Sequence, residues 1–239
     1  MQNTETRTSP VGIIGAMAEE VAGLVATMQD VREWTMGGMT FYEGTLENVP
    51  VVLVQSGVGK VNAAACAQIV AGHFRARCIL NTGIAGSLQN TLHIGDIVVS
   101  TDAIQHDVDA TVWGYAPGEV PGMGCASYPA DEALIALAED VCREVNPEIG
   151  VFRGRIASGD AFIADAGQKD RIREDFHADC VEMEGAAIAQ ICFRNHTPFL
   201  ILRAVSDQAD GSAVADNETF TEEVLRRNDR LIRSMLRRL

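Results

Sequence analysis

Val51-Val-Leu-Val-Gln55, Ser56-Gly-Val-Gly-Lys60, Val61 to Phe74 and Cys78-Ile-Leu-Asn-Thr82 follow one another without a gap in their logic. The first is an apolar run of strand length. The second is a Gly-punctuated turn. The third is Ala-rich with helical spacing, and the fourth is another apolar run. This is a β-α-β pattern, and continuous apolar runs mark strands buried on both faces, as in a parallel sheet. The same alternation continues outward. Val11 to Ala16 reads as a strand and Ala18 to Met28 as a helix. Asp96 to Ser100, Gly154 to Ser158, Asp179 to Met183 and Pro198 to Val205 read as further strands. Asp131 to Val145 is helical, with apolar positions 134, 137, 138, 141 and 145; Gly185 to Phe193 and Glu218 to Leu239 complete the helices. The expectation is an α/β fold with a mostly parallel sheet covered on both faces.

At 239 residues the chain suits one domain, expected over residues 11–239 behind a polar tail of residues 1–10. That tail has no apolar stretch of the kind a secretory signal needs. Hydrophobic residues make up 47%, which excludes a disordered chain. A net charge of −14 repels phosphates, so nucleic acid and anionic membranes are not expected partners. No apolar run approaches the roughly 18 residues of a membrane helix. The six cysteines form no CxxC pair, so they speak against zinc or thioredoxin-type chemistry and fit a reducing, cytoplasmic setting. The last helix carries Arg226, Arg227, Arg230, Arg233, Arg237 and Arg238. Cations near a helix C-terminus explain these better than a nucleic-acid patch does. Two segments read as irregular: Val108 to Ser127, rich in Gly and Pro and containing Trp113, and Gln208 to Asn217, which is small, polar and a candidate lid.

Gly57-Val-Gly59-Lys60-Val-Asn62 is neither a Walker A loop nor GxGxxG, but a Gly-rich turn between strand and helix lets a ligand approach closely. Gly83-Ile84-Ala85-Gly86 reads as a second such turn. Carboxylates cluster at expected strand ends, with Glu19 and Glu20 after the first strand and Glu182-Met183-Glu184 after another. Asp207 follows Phe199-Leu-Ile-Leu-Arg203-Ala-Val-Ser206. Arg203 inside an apolar strand needs a partner, either Asp207 or another acid. Phe162, after Ser158-Gly-Asp-Ala, suits the wall of a flat pocket. His106-Asp-Val-Asp109 is a weak metal candidate, lacking further ligands at suitable spacing, so no metal or other cofactor is expected. Carboxylates without a Ser-His-Asp or Cys-His set suit acid–base chemistry on a flat, uncharged substrate.

Six ordered blocks now carry a resemblance: Gly12-Ile-Ile-Gly-Ala-Met-Ala-Glu-Glu20, Ser56-Gly-Val-Gly-Lys60, Asn81-Thr-Gly-Ile-Ala-Gly86, Ser158-Gly-Asp-Ala-Phe-Ile163, Val181-Glu-Met-Glu-Gly185 and Arg203-Ala-Val-Ser-Asp207. Together they resemble the 5′-methylthioadenosine/S-adenosylhomocysteine nucleosidases of the nucleoside phosphorylase and hydrolase superfamily. The resemblance implies a three-layer α/β/α sandwich on a mixed, mostly parallel sheet. It implies that Glu20 activates the attacking water and that Asp207, oriented by Ser206, protonates adenine N7. Glu184 would accept from the ribose hydroxyls, with Met17 and Met183 packed on the ribose. Phe162 would stack on adenine, the Ile163 backbone would read its edge, Arg203 would lie beside the water and Val58 would line the 5′-alkylthio pocket. The chain departs from some members at Ile84, where they carry Ser, and near Asn217, where they carry an aromatic residue. The resemblance further implies a homodimer in which Trp113 and its loop complete the partner's 5′ pocket. Alternative readings are an aminodeoxyfutalosine nucleosidase with the same chemistry and a purine nucleoside phosphorylase on the same fold.

Overall fold

The computed structural model describes residues 9–210 and 213–239, with side chains described outside 213–222. Residues 1–8 of the polar tail, residues 211–212 of the Gln208–Asn217 segment and the Asn217 side chain lie outside the described residues. The strands are β1 (Val11–Gly15), β2 (Gln29–Met36), β3 (Met39–Leu46), β4 (Val49–Gln55), β5 (Cys78–Ser87), β6 (Ile97–Gln105), β7 (Ser127–Pro129), β8 (Val151–Ser158), β9 (Cys180–Glu182) and β10 (Phe199–Asp207). The helices are α1 (Ala18–Val25), α2 (Lys60–Gly72), α3 (Glu132–Val145), α4 (Ala166–Phe176), α5 (Gly185–Asn195) and α6 (Ala213–Leu236).

All ten strands join one mixed sheet. Strands β4, β1, β5 and β10 run parallel side by side. Beyond them β10 also pairs β6, β6 pairs β8, β8 pairs β9 and β9 returns to β5, so this half of the sheet closes on itself. Helices α2 and α5 cover one face through Ala63, Cys66, Val70, Ile188 and Cys192. Helices α1, α3 and α6 cover the other through Val21, Leu24, Leu134, Ala138, Leu231 and Met235. The architecture is the three-layer α/β/α sandwich. The apolar runs are strands because their neighbours take both faces, and all nine residues of β10 are buried. Helix α3 starts where Asp131 accepts from the amides of Ala133 and Leu134 at 3.0 Å, a cap contributing about 1 kcal/mol.

Sequence periodicity does not reveal β2, β3 or α4. Strand β2 forms the sheet edge and is exposed along almost its whole length, so no buried face imprints an alternation. A usable signal was Gly37-Gly38, both at positive φ, which turns β2 into β3. Helix α4 is polar and buries only Lys169, Ile172 and Phe176. The segment from Gly83 to Gly86 corrects the second turn reading, because it lies inside β5, paired with Arg203 to Asp207 of β10. Helix α6 begins at Ala213, earlier than expected, so the end of the expected lid is helical. Its arginines are engaged: Arg233 and Arg237 with Glu47, Arg238 with Glu144, Arg227 with Glu148 and Glu223, and Arg230 with the Val145 carbonyl. The six cysteines are free, and burial pushes the Cys66 thiol up to about 12, which keeps it an inert apolar group.

Candidate active site

The carboxyl ends of β1, β5, β9 and β10 open into one cleft with a cavity volume of about 180 Å³. Glu20, Glu184, Ser206 and Asp207 line its polar side. Met17, Val58, Phe162, Ile163 and Met183 line its apolar side. Nine of the ten expected site residues therefore meet in one place. Arg203 is the tenth; it sits behind the cleft wall, 1% exposed.

Glu20 stands in the first turn of α1. Its Oε2 accepts from the amides of Ala16 at 2.7 Å and Met17 at 3.0 Å, and its Oε1 accepts from Ile84 N–H at 3.2 Å. The helix N-terminus thus holds a carboxylate that is buried yet reaches the cleft. Asp207 ends β10. Ser206 Oγ donates to its Oδ2 at 2.7 Å, and Ala209 N–H donates to its Oδ1 at 2.7 Å. Glu184 precedes α5, and its Oε1 accepts from Gly59 N–H at 2.8 Å. Gly59 has φ of 98°, a left-handed conformation that presents its amide to Glu184 at the start of α2.

The partner of Arg203 is Glu182, not Asp207. The two form a fully buried ion pair, and Arg203 Nη2 also donates to Asn81 Oδ1 at 2.7 Å and lies 3.7 Å from Glu184 Oε2. Glu182 further accepts from the amides of Glu184 and Gly185 and from Ser158 Oγ. Sequence reading grouped Glu182 with its neighbours but gave it no role of its own. The signal was present: Arg203 demanded a buried acid, and Glu182 lies two residues before Glu184. Gly83 makes room for this cluster. A Cβ there would come within 2.0 Å of Arg203 Nη1 and 2.5 Å of Glu20 Oε1.

Three carboxylates therefore surround one guanidinium. Burial, then the neighbouring Glu182 charge, pushes the Glu184 carboxyl up to about 7, against the pull of Arg203 and of the Gly59 amide. Burial works against the Arg203 charge, but Glu182, Glu184 and Glu20 together hold its pKa above the usual value. The His106 to Asp109 motif is engaged elsewhere: Asp107 pairs with Lys60, and Asp109 accepts from the Thr111 amide and hydroxyl. Phe162 and Val58 are half-exposed at the cleft. Trp113 and Val112, on a 3-10 turn at Thr111–Trp113, are exposed and do not line this chain's own cleft. An arrangement of this kind can donate one proton, accept another and bind hydroxyls, with no cation on the cleft wall among the described residues.

Comparison with known proteins agrees with the geometry. The phosphorylase superfamily model matches residues 10–237. A 5′-methylthioadenosine/S-adenosylhomocysteine nucleosidase from Staphylococcus carnosus is 42% identical over 232 residues, covering 96% of this chain and 100% of the relative. The structure of such a nucleosidase from Neisseria meningitidis, in complex with methylthio-immucillin-A, superimposes with a TM-score of 0.93 at 38% identity, covering 97% of this chain and 100% of that one. A futalosine hydrolase from Helicobacter pylori reaches 0.92 at 32% identity, covering 98% and 100%. The chain belongs to the phosphorylase superfamily and, within it, to the 5′-methylthioadenosine/S-adenosylhomocysteine nucleosidase family.

Proposed function

We propose that this chain hydrolyses the N-glycosidic bond of 5′-methylthioadenosine and S-adenosylhomocysteine, releasing adenine and the 5′-thio-substituted ribose. The observation that carries this reading is a single cleft lined by Glu20, Glu184 and Asp207 from separate elements, with an apolar wall beside them. Asp207, aligned by Ser206, protonates adenine N7, and a protonated base leaves more readily. Phe162 stacks on the purine ring, and the Ile163 backbone reads its edge. As the bond lengthens the ribose gains positive charge. Glu184, bonded to the ribose hydroxyls between Met17 and Met183, stabilises that charge. Glu20 takes the proton from the attacking water, with the buried Arg203 charge behind the cleft wall. Val58 borders the 5′ substituent.

A phosphorylase would need cationic donors for phosphate. Arg203 is committed to Glu182 and Asn81, and the cleft wall offers no other cation among the described residues. The deciding assay is adenine release with and without phosphate, with the sugar identified by mass. Free methylthioribose formed equally fast without phosphate supports hydrolysis; methylthioribose 1-phosphate overturns it. The likeness to a futalosine hydrolase makes aminodeoxyfutalosine the substrate to compare next.

The exposed Val58, Val61, Val112 and Trp113 support assembly into a homodimer, with Trp113 of one copy closing the 5′ pocket of the other. Light scattering of the wild type and of Trp113→Ala tests this. No helix among the described residues is long and apolar enough to cross a membrane, and a cytoplasmic setting fits the unpaired thiols.

A further inference from the structure

The peptide group joining Gly83 to Ile84 is bonded at both ends. Its N–H, on Ile84, donates to Glu20 Oε1 at 3.2 Å. Its carbonyl, on Gly83, accepts from Asn228 Nδ2 at 3.1 Å. Asn228 belongs to α6, is 3% exposed and does not line the cleft. We infer that Asn228 is a positioning residue for Glu20, acting through this one peptide. The inference rests on the reading of Glu20 as the base that activates water.

The two oxygens of Glu20 are held unequally. Oε2 takes two amides from its own helix start, whereas Oε1 takes the single amide of Ile84. A peptide that accepts a bond at its carbonyl donates more strongly from its N–H. It also resists tilting. Gly83 cannot brace itself with a side chain, because a Cβ would run into Arg203 and Glu20. Beyond the β5–β10 ladder, side-chain support comes from α6 through Asn228.

A second observation separates this role from packing. Asn228 Oδ1 is buried with no hydrogen-bond partner among the described residues. At a position that serves only to fill space, leucine has similar volume and leaves no orphaned acceptor. The next residue, Asp229, rests against Gly23 of α1, so α6 backs both the helix that carries Glu20 and the peptide that aligns it. The charged groups facing Glu20 are Arg203 of β10 and Glu184 at the start of α5, and an uncharged replacement of Asn228 alters neither.

The test measures kcat, KM and melting temperature for the wild type, Asn228→Leu and Glu20→Gln. For Asn228→Leu the expected result is a kcat about five- to tenfold lower with KM within about twofold, the signature of support felt in the reaction and not in binding. The melting temperature stays close to that of the wild type. An Asn228→Leu enzyme with undiminished kcat, alongside an inactive Glu20→Gln, overturns the inference alone. So does a loss of kcat that comes with a matching loss of melting temperature, which marks a purely structural residue. A Glu20→Gln enzyme with full turnover overturns the reading of Glu20 itself.

Discussion

Glu20 and Glu182 are both buried carboxylates next to helix N-termini, and their surroundings differ. Glu182 is saturated: two amides, the Ser158 hydroxyl and the Arg203 guanidinium occupy its oxygens. Among the described residues Glu20 accepts three backbone amides and no side-chain donor, and it faces the cleft beside Arg203. A carboxylate whose lone pairs are all taken holds structure together. One that backbone amides orient while leaving it open toward a cavity remains available for proton transfer. Burial does not distinguish these roles; the number and kind of donors does.

The sharpest way to break this comparison is to remove charge from each acid in turn. Glu20→Gln keeps shape and should lower kcat by about 10²- to 10⁴-fold, the range for a lost acid–base group, while the melting temperature changes little. Glu182→Gln should do the reverse in emphasis. It strands the fully buried Arg203 charge, a loss of about 3–5 kcal/mol measured by urea unfolding. A Glu182→Gln protein as stable as the wild type would show that Asn81 and Glu184 suffice for Arg203.

Glu184 lies between the two cases, and pH separates its contributions. Its carboxyl is lifted from the ordinary 4.5 to about 7. Between those values the folded chain keeps a proton that the unfolded chain has lost. Stability therefore falls as pH rises through that window, by up to about 3 kcal/mol. Glu184→Gln cannot ionise, so it should flatten the decline in melting temperature between pH 5 and pH 8 while weakening activity. An unchanged slope would mean that the carboxylate is already ionised at the lower pH. The smallest effect is expected at an exposed pair. Arg238→Ala, which separates Arg238 from Glu144 on the surface, should change stability by less than about 1 kcal/mol and leave turnover intact.

The architecture could be read from residue order because the central strands are buried on both faces. Val51 to Gln55 and Phe199 to Val205 announce themselves as uninterrupted apolar runs, and α3 by its spacing and its Asp131 cap. Edge strand β2 and helix α4 left little trace, since exposed elements are free to be polar. In the site, Glu20, Glu184 and Asp207 were legible as acids at the ends of apolar strands; helix-terminus chemistry accounts for Glu20 taken alone, and the resemblance gave each acid its role. Glu182 did not stand out, because its role exists only once β9 and β10 bring it against Arg203, 21 residues away. Gly83 looked like a turn for a related reason. Glycine is permissive in a loop and also leaves space in a strand, and only the neighbouring side chains tell which property is used. Sequence order records which groups the chain owns and which faces want burial. Which carboxylate is filled and which is left open is a matter of partners distant in the chain, and that is set by packing.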